Sequence, residues 1–129
     1  MPAAPDHETQ ARHNEALVQF VINSPFTDWA ATGIFYAAVH YIEAWLDRNF
    51  GEHSQNHSER YNHIRRRIAD REFFRRYSQL LNRSFFARYL DVRRPSSATG
   101  LTPSQFFDQA ELNRLLSTLQ WLKSWLGYP

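Results

Sequence analysis

Residues 27–49, TDWAATGIFYAAVHYIEAWLDRN, decide the fold. Small residues and aromatics alternate there on a helical period. At about 100° per residue, Ala30, Ile34, Ala37, Ala38, Tyr41, Ala44 and Trp45 fall on one side. Alanines let neighbouring backbones approach while the rings fill the remaining volume, so the spacing predicts a close-packing helix. The opposite side carries Trp29, Tyr36, His40, Glu43 and Asp47, a polar stripe that is either a solvated face or the first place to look for function.

Outward from this helix the chain reads as helices throughout, since no segment shows the period-two alternation of strands. A first helix is expected over about residues 6–23, with Asp6 as N-cap and Leu17, Phe20 and Val21 as its apolar stripe, ended by Ser24-Pro25. Thr27 is placed as the cap of the second. Gly51 breaks the loop at residues 50–56, and a third helix follows over about residues 58–69 with Tyr61, Ile64 and Ile68 inward. A fourth, over about residues 72–90, carries Phe73, Tyr77, Leu80, Leu81 and Ala87 on its buried side and is close enough to the third to be continuous with it. VRRPSSATGL at residues 92–101 is the flexible connection. Thr102-Pro103-Ser104-Gln105 then forms a capping box for a last helix, with Leu112, Leu115, Leu116, Leu119, Leu122 and Leu126 on one face and Gly127 as its stop. The whole chain, residues 1–129, is expected to be a single all-α domain, an up-and-down helical bundle of four to five helices.

Composition narrows the function classes. Without cysteine there is no disulfide framework and no thiolate chemistry. The opening MPAAPDHETQ lacks the basic and apolar regions of a secretory signal, and the longest apolar run, residues 34–39, is far short of the roughly 20 residues of a membrane span; a cytoplasmic protein with no membrane partner is expected. Net charge is only +2, but it is unevenly spread: residues 1–56 hold two arginines against seven acids, and residues 57–100 hold eleven against four. Arginine supplies fourteen of the fifteen basic residues, and its planar fork suits phosphate and stacking on bases. This basic block is either a nucleic-acid surface, through Arg65, Arg66, Arg67, Arg83 and Arg88, or a solvated ion-pair face.

FYAAVHYIEAWL on the second helix, HSQNHSER opening the third and YSQLLNRSFFARY on the fourth together resemble the HEPN family, the higher eukaryote and prokaryote nucleotide-binding domains, in particular its small stand-alone bacterial members. The resemblance covers about half the chain. It implies a helical bundle that often dimerises and, in active members, a metal-independent endoribonuclease of toxin–antitoxin or defence systems whose motif is Arg, four to six residues, then His. Arg48-Asn-Phe-Gly-Glu-His53 has that spacing, with Asn49 as the polar residue after the arginine. The chemistry is coherent: arginine holds a scissile phosphate and its developing charge, while histidine moves the proton of a 2′-hydroxyl.

Two functions stay open at this stage. One is a ribonuclease with Arg48, Asn49 and His53 as its catalytic group. The other is a non-catalytic HEPN-like module that binds RNA or a nucleotide, or pairs with a partner such as a nucleotidyltransferase. A homodimer is expected from Trp121, Trp125, Trp29 and Tyr36, read as surface aromatics. His53, His57 and His63 invite a metal, but no Asp, Glu or Cys set accompanies them at ligand spacing, so neither metal nor cofactor is assigned.

Overall fold

The computed structural model describes residues 2–90 and 101–129. Helix α1 spans Ala4–Val21, α2 Thr27–Phe50, α3 His57–His63, α4 Arg71–Tyr89, α5 Pro103–Phe106 and α6 Gln109–Leu126, and α3 runs on into one π-helical turn, Ile64–Ile68. Among the described residues there is no strand, and no helix is long and apolar enough to cross a membrane. The all-α bundle expected from the sequence is therefore the fold. The connection expected over residues 92–101 lies, apart from Leu101, outside the described residues.

The middle of the bundle is α2, which packs against α1, α4 and α6. Its small residues explain how one helix can serve three neighbours: Ala30, Ala37 and Ala44 are fully buried, and a Cβ at Gly33 would lie only 2.9 Å from Val18 Cγ2 on α1. Around it Phe73, Tyr77 and Leu80 from α4, Leu112, Leu115, Leu119 and Leu122 from α6, and Ile64 and Ile68 from the π turn close the core.

Several boundaries move from their expected places for local reasons. Helix α1 starts at Ala4, and Asp6 serves as the third helical residue, its Oδ2 accepting the Ala3 N–H at 3.2 Å. Thr27 lies inside the first turn of α2 and donates its hydroxyl to the Ser104 carbonyl at 3.2 Å. Asn56 caps α3, accepting Glu59 N–H at 2.8 Å, so the helix begins at His57, one residue before its expected start. Helices α3 and α4 are not continuous: Ala69 sits in the left-handed region at φ 52°, and Asp70 then caps α4 through Phe73 N–H at 2.8 Å. The capping box at Thr102 is present, Gln105 Oε1 accepting Thr102 N–H at 3.0 Å, but the helix it opens lasts one turn. Phe107 turns into the core beside Phe86 and Phe106, and Asp108 caps a new helix, α6, through Glu111 N–H.

Trp121 and Trp125 are not surface aromatics. Phe73 and Trp45 flank Trp125 at 5.1 and 5.7 Å between ring centroids, and the Arg76 guanidinium covers Trp121 at 4.8 Å. Exposed rings lie elsewhere, Phe20, Phe26 and Trp29 around the α1–α2 turn, with Phe50 and Tyr89 apart from them.

Candidate nucleic-acid interface

From Tyr36 to Asp47 the polar stripe of α2 is at least partly covered, while Trp29 at its start is exposed. Glu43, 3% exposed, accepts Ser54 N–H at 2.8 Å and Arg60 Nε at 3.1 Å, so a buried ion pair ties α3 and the preceding loop to α2. Arg60 Nη1 in turn lies 3.0 Å from His57 Nδ1. A guanidinium only donates, so Nδ1 accepts and the neutral imidazole keeps its proton on Nε2. Burial, with Arg60 and Arg88 nearby, lowers the His57 pKa and favours that neutral form. On the side facing α1, His7 and His40 meet Nδ1 to Nδ1 at 2.9 Å, and Asp47 accepts Ala4 N–H at 2.8 Å. Burial, reinforced by His7 and Arg60, pulls His40 down to about 4.

Arg48, Asn49 and His53 sit close in the chain but have separate engagements. Arg48 forms a fork on Glu8 of α1, with Nε to Oε2 at 2.8 Å and Nη2 to Oε1 at 2.6 Å. That bond, joined by the Tyr128 hydroxyl at 2.5 Å, holds the Glu8 carboxyl down at about 2. Asn49 donates to the carbonyl of Trp45 in its own helix at 2.9 Å. His53 places Nε2 at 3.2 Å from Asp47 Oδ1, while its Nδ1 is buried with no hydrogen-bond partner. His63 is held between Ser54 Oγ at 2.9 Å and Glu52 at 3.2 Å, which latches the loop after α2 onto α3. The three histidines 53, 57 and 63 thus have three different partners, and no group of three or more His, Cys, Asp or Glu among the described residues is arranged to hold a metal ion.

The five arginines read from the basic block divide the same way. Arg66 and Arg67 both reach Glu52, at 3.2 and 2.5 Å. Arg83 is largely buried and joined to Glu111 at 2.6 Å, a strut between α4 and α6 rather than a surface cation. Arg65 is exposed and has no carboxylate partner among the described residues. Arg88 likewise has none there; it donates to the Tyr36 hydroxyl at 2.6 Å and lies over the rings of Tyr89, Tyr36 and Phe85 at 4.9, 5.2 and 5.5 Å.

Three concavities follow α4 from Arg71 to Phe85, and α3 forms the other wall of the first. A cavity of about 530 Å³ is lined by His57, Tyr61, Asn62, Ser78, Asn82 and Phe85. A second, of about 580 Å³, shares Ser78 and Asn82 and continues to Arg71, Phe74 and Arg75. A third, of about 310 Å³, shares Arg71 and Phe74 and reaches Arg65 and Asp70. Sharing residues, they make a groove with guanidinium groups at Arg65 and Arg71 towards one end and Arg88 beyond the other; between lie rings, uncharged polar groups and the carboxylate-paired Arg75 and Arg83. Arg71 to Arg88 spans about 25 Å of helix.

Reading the basic block by cluster missed Arg71, Asn62, Ser78 and Asn82. A signal for the α4 part was present: positions 71, 75, 78, 82, 85 and 89 follow the three-and-four spacing of one helix face, with Ser78 and Asn82 where a buried face would carry leucine. No family model, curated protein or solved structure matches the chain.

Proposed function

We propose that the protein is a non-catalytic module that binds single-stranded nucleic acid along the α3–α4 groove. The observation that carries this reading is the pairing of guanidinium groups with no carboxylate partner among the described residues, Arg65 and Arg71 in the groove and Arg88 beyond its end, with the rings of Phe74 and Phe85 along it. A single strand needs those two things: cations that track phosphates and π faces on which successive bases stack. The groove's length suits roughly four nucleotides, within the usual site size of one small module.

The arrangement around Arg48 supports the non-catalytic half. A phosphate would have to displace Glu8, which already gives Arg48 a bidentate, charge-assisted partner, and Asn49 is turned back onto its own helix. A HEPN-like module that acts beside a separate enzyme, such as a nucleotidyltransferase, fits this arrangement better than a ribonuclease. The proposal includes a homodimer through the α1–α2 turn. Phe20 there is 86% exposed, with Trp29 one helical turn from Gly33 and Leu17 of α1 packed beside that glycine.

Photocrosslinking tests the binding surface. An octanucleotide carrying 4-thiouridine is expected to attach to peptides within residues 57–89. Attachment confined to α1 or α6 overturns the assignment.

A further inference from the structure

The cavity at the centre of the groove has a composition that electrostatic binding alone does not require. Asn62 and Asn82 both line it, and neither carboxamide makes a hydrogen bond to another described residue. Ser78 Oγ, on the same wall, is buried with no hydrogen-bond partner. His57 lines the cavity with its Nδ1 already committed to Arg60, which leaves Nε2–H as the free donor. Tyr61 and Phe85 supply ring surface, each braced by another aromatic: Tyr61 edge-on to Phe74 at 4.4 Å and Phe85 edge-on to His57 at 5.9 Å. A buried polar group without a partner, as Ser78 Oγ is, is rare in folded proteins, and with two uncommitted carboxamides and an imidazole N–H opening onto the same cavity it marks a place where a ligand could complete them.

We infer that this cavity selects adenine from the bound strand, the base stacking against Tyr61 or Phe85 while a carboxamide of Asn62 or Asn82 pairs with its edge. This rests on the groove being a single-strand site. The choice among bases follows from what lines the cavity. Arginine or lysine reads guanine and a carboxylate reads cytosine, and neither type of side chain lines this cavity among the described residues. A carboxamide offers one donor and one acceptor side by side, the match for adenine N7 and N6. At about 530 Å³ the cavity admits a bicyclic base with its ribose, and a purine covers more ring surface than uracil does.

The test uses the full chain and labelled uridine octamers that carry AA, GG, CC or UU at the two central positions, followed by fluorescence anisotropy at low salt. The AA octamer should bind about tenfold tighter than the others, the usual scale for one bidentate base contact. Asn62→Ala with Asn82→Ala should remove the preference, so that AA and UU bind the double variant equally while its helical circular dichroism stays that of wild type. Equal binding of all four octamers, with binding still weakened by Arg65→Ala and Arg71→Ala, overturns adenine selection and leaves the groove standing. A preference for AA that survives the double asparagine variant overturns its assignment to this cavity. Binding of none of them overturns both the selection and the groove.

Discussion

Arg48 and Glu8 face each other as a two-bond fork between the C-terminal end of α2 and the first turns of α1, at 2.6 and 2.8 Å. The arginine that the sequence nominates for phosphate chemistry therefore clasps one helix to another. Arg48→Ala and His53→Ala are expected to leave oligonucleotide affinity within about twofold of wild type, as surface changes away from a site usually do. RNA incubated with the wild-type chain in excess chelator is expected to stay intact on a denaturing gel. Cleavage that His53→Ala abolishes would restore the ribonuclease reading.

Arg60 and Glu43 form the buried pair on which α3 is anchored. Arg60→Ala leaves a carboxylate buried without its cation and is expected to cost about 3–5 kcal/mol. Thermal unfolding followed by circular dichroism should show a fall in Tm of roughly 10–20 °C. A fall of only a degree or two would mean that water replaces the guanidinium and the pair is not an anchor.

Acid should weaken the fold in two separate windows. His7, His40 and His57 all have folded pKa values below 6.5, so the unfolded chain takes up protons first. Stability is then complete above about pH 7 and declines from pH 6.5 towards 4, by on the order of 2 kcal/mol for His40. Glu8, held near 2 chiefly by Arg48, contributes stability above 4.5 that is lost as pH falls towards 2. Urea midpoints across pH 3–8 check both, and His40→Gln should shrink the upper window, leaving the part due to His7 and His57, without changing the lower. An unchanged upper window in that variant would remove His40 as its cause.

Gly33 permits the close approach of α1 and α2. Gly33→Val adds atoms where Val18 Cγ2 already stands 2.9 Å from a Cβ, and is expected to destabilise by roughly 1–3 kcal/mol despite replacing a helix-interior glycine. Chemical denaturation measures it; a stabilised variant would mean that the two helices separate freely.

The helices were legible because burial drives periodicity. The alanines of α2 and the leucines of α6 repeat on one face, and Gly51 and Gly127 end their helices at φ 63° and 88°. What was not legible turned on partners distant in sequence. Glu43 and Asp47 look like solvent residues until α1 and the loop after α2 fold over them, and Trp121 looks exposed until Arg76 covers it. Arg83 differs from Arg65 through Phe106 and Glu111, more than twenty residues further on. In the groove, Arg71 and Asn82 carry no local motif, and their relationship emerges from the shared face of α4.

The most direct test of the central claim is the salt dependence of single-strand RNA binding. Three phosphate contacts predict a slope of log affinity against log salt near −2, so roughly a twentyfold loss between 50 and 200 mM salt. Arg65→Ala and Arg71→Ala should each reduce the magnitude of that slope by about 0.7 and weaken binding to the uridine octamer and its AA, GG and CC versions alike. Slopes identical to wild type in both variants, or no binding by the wild-type chain at 50 mM salt, would contradict the account.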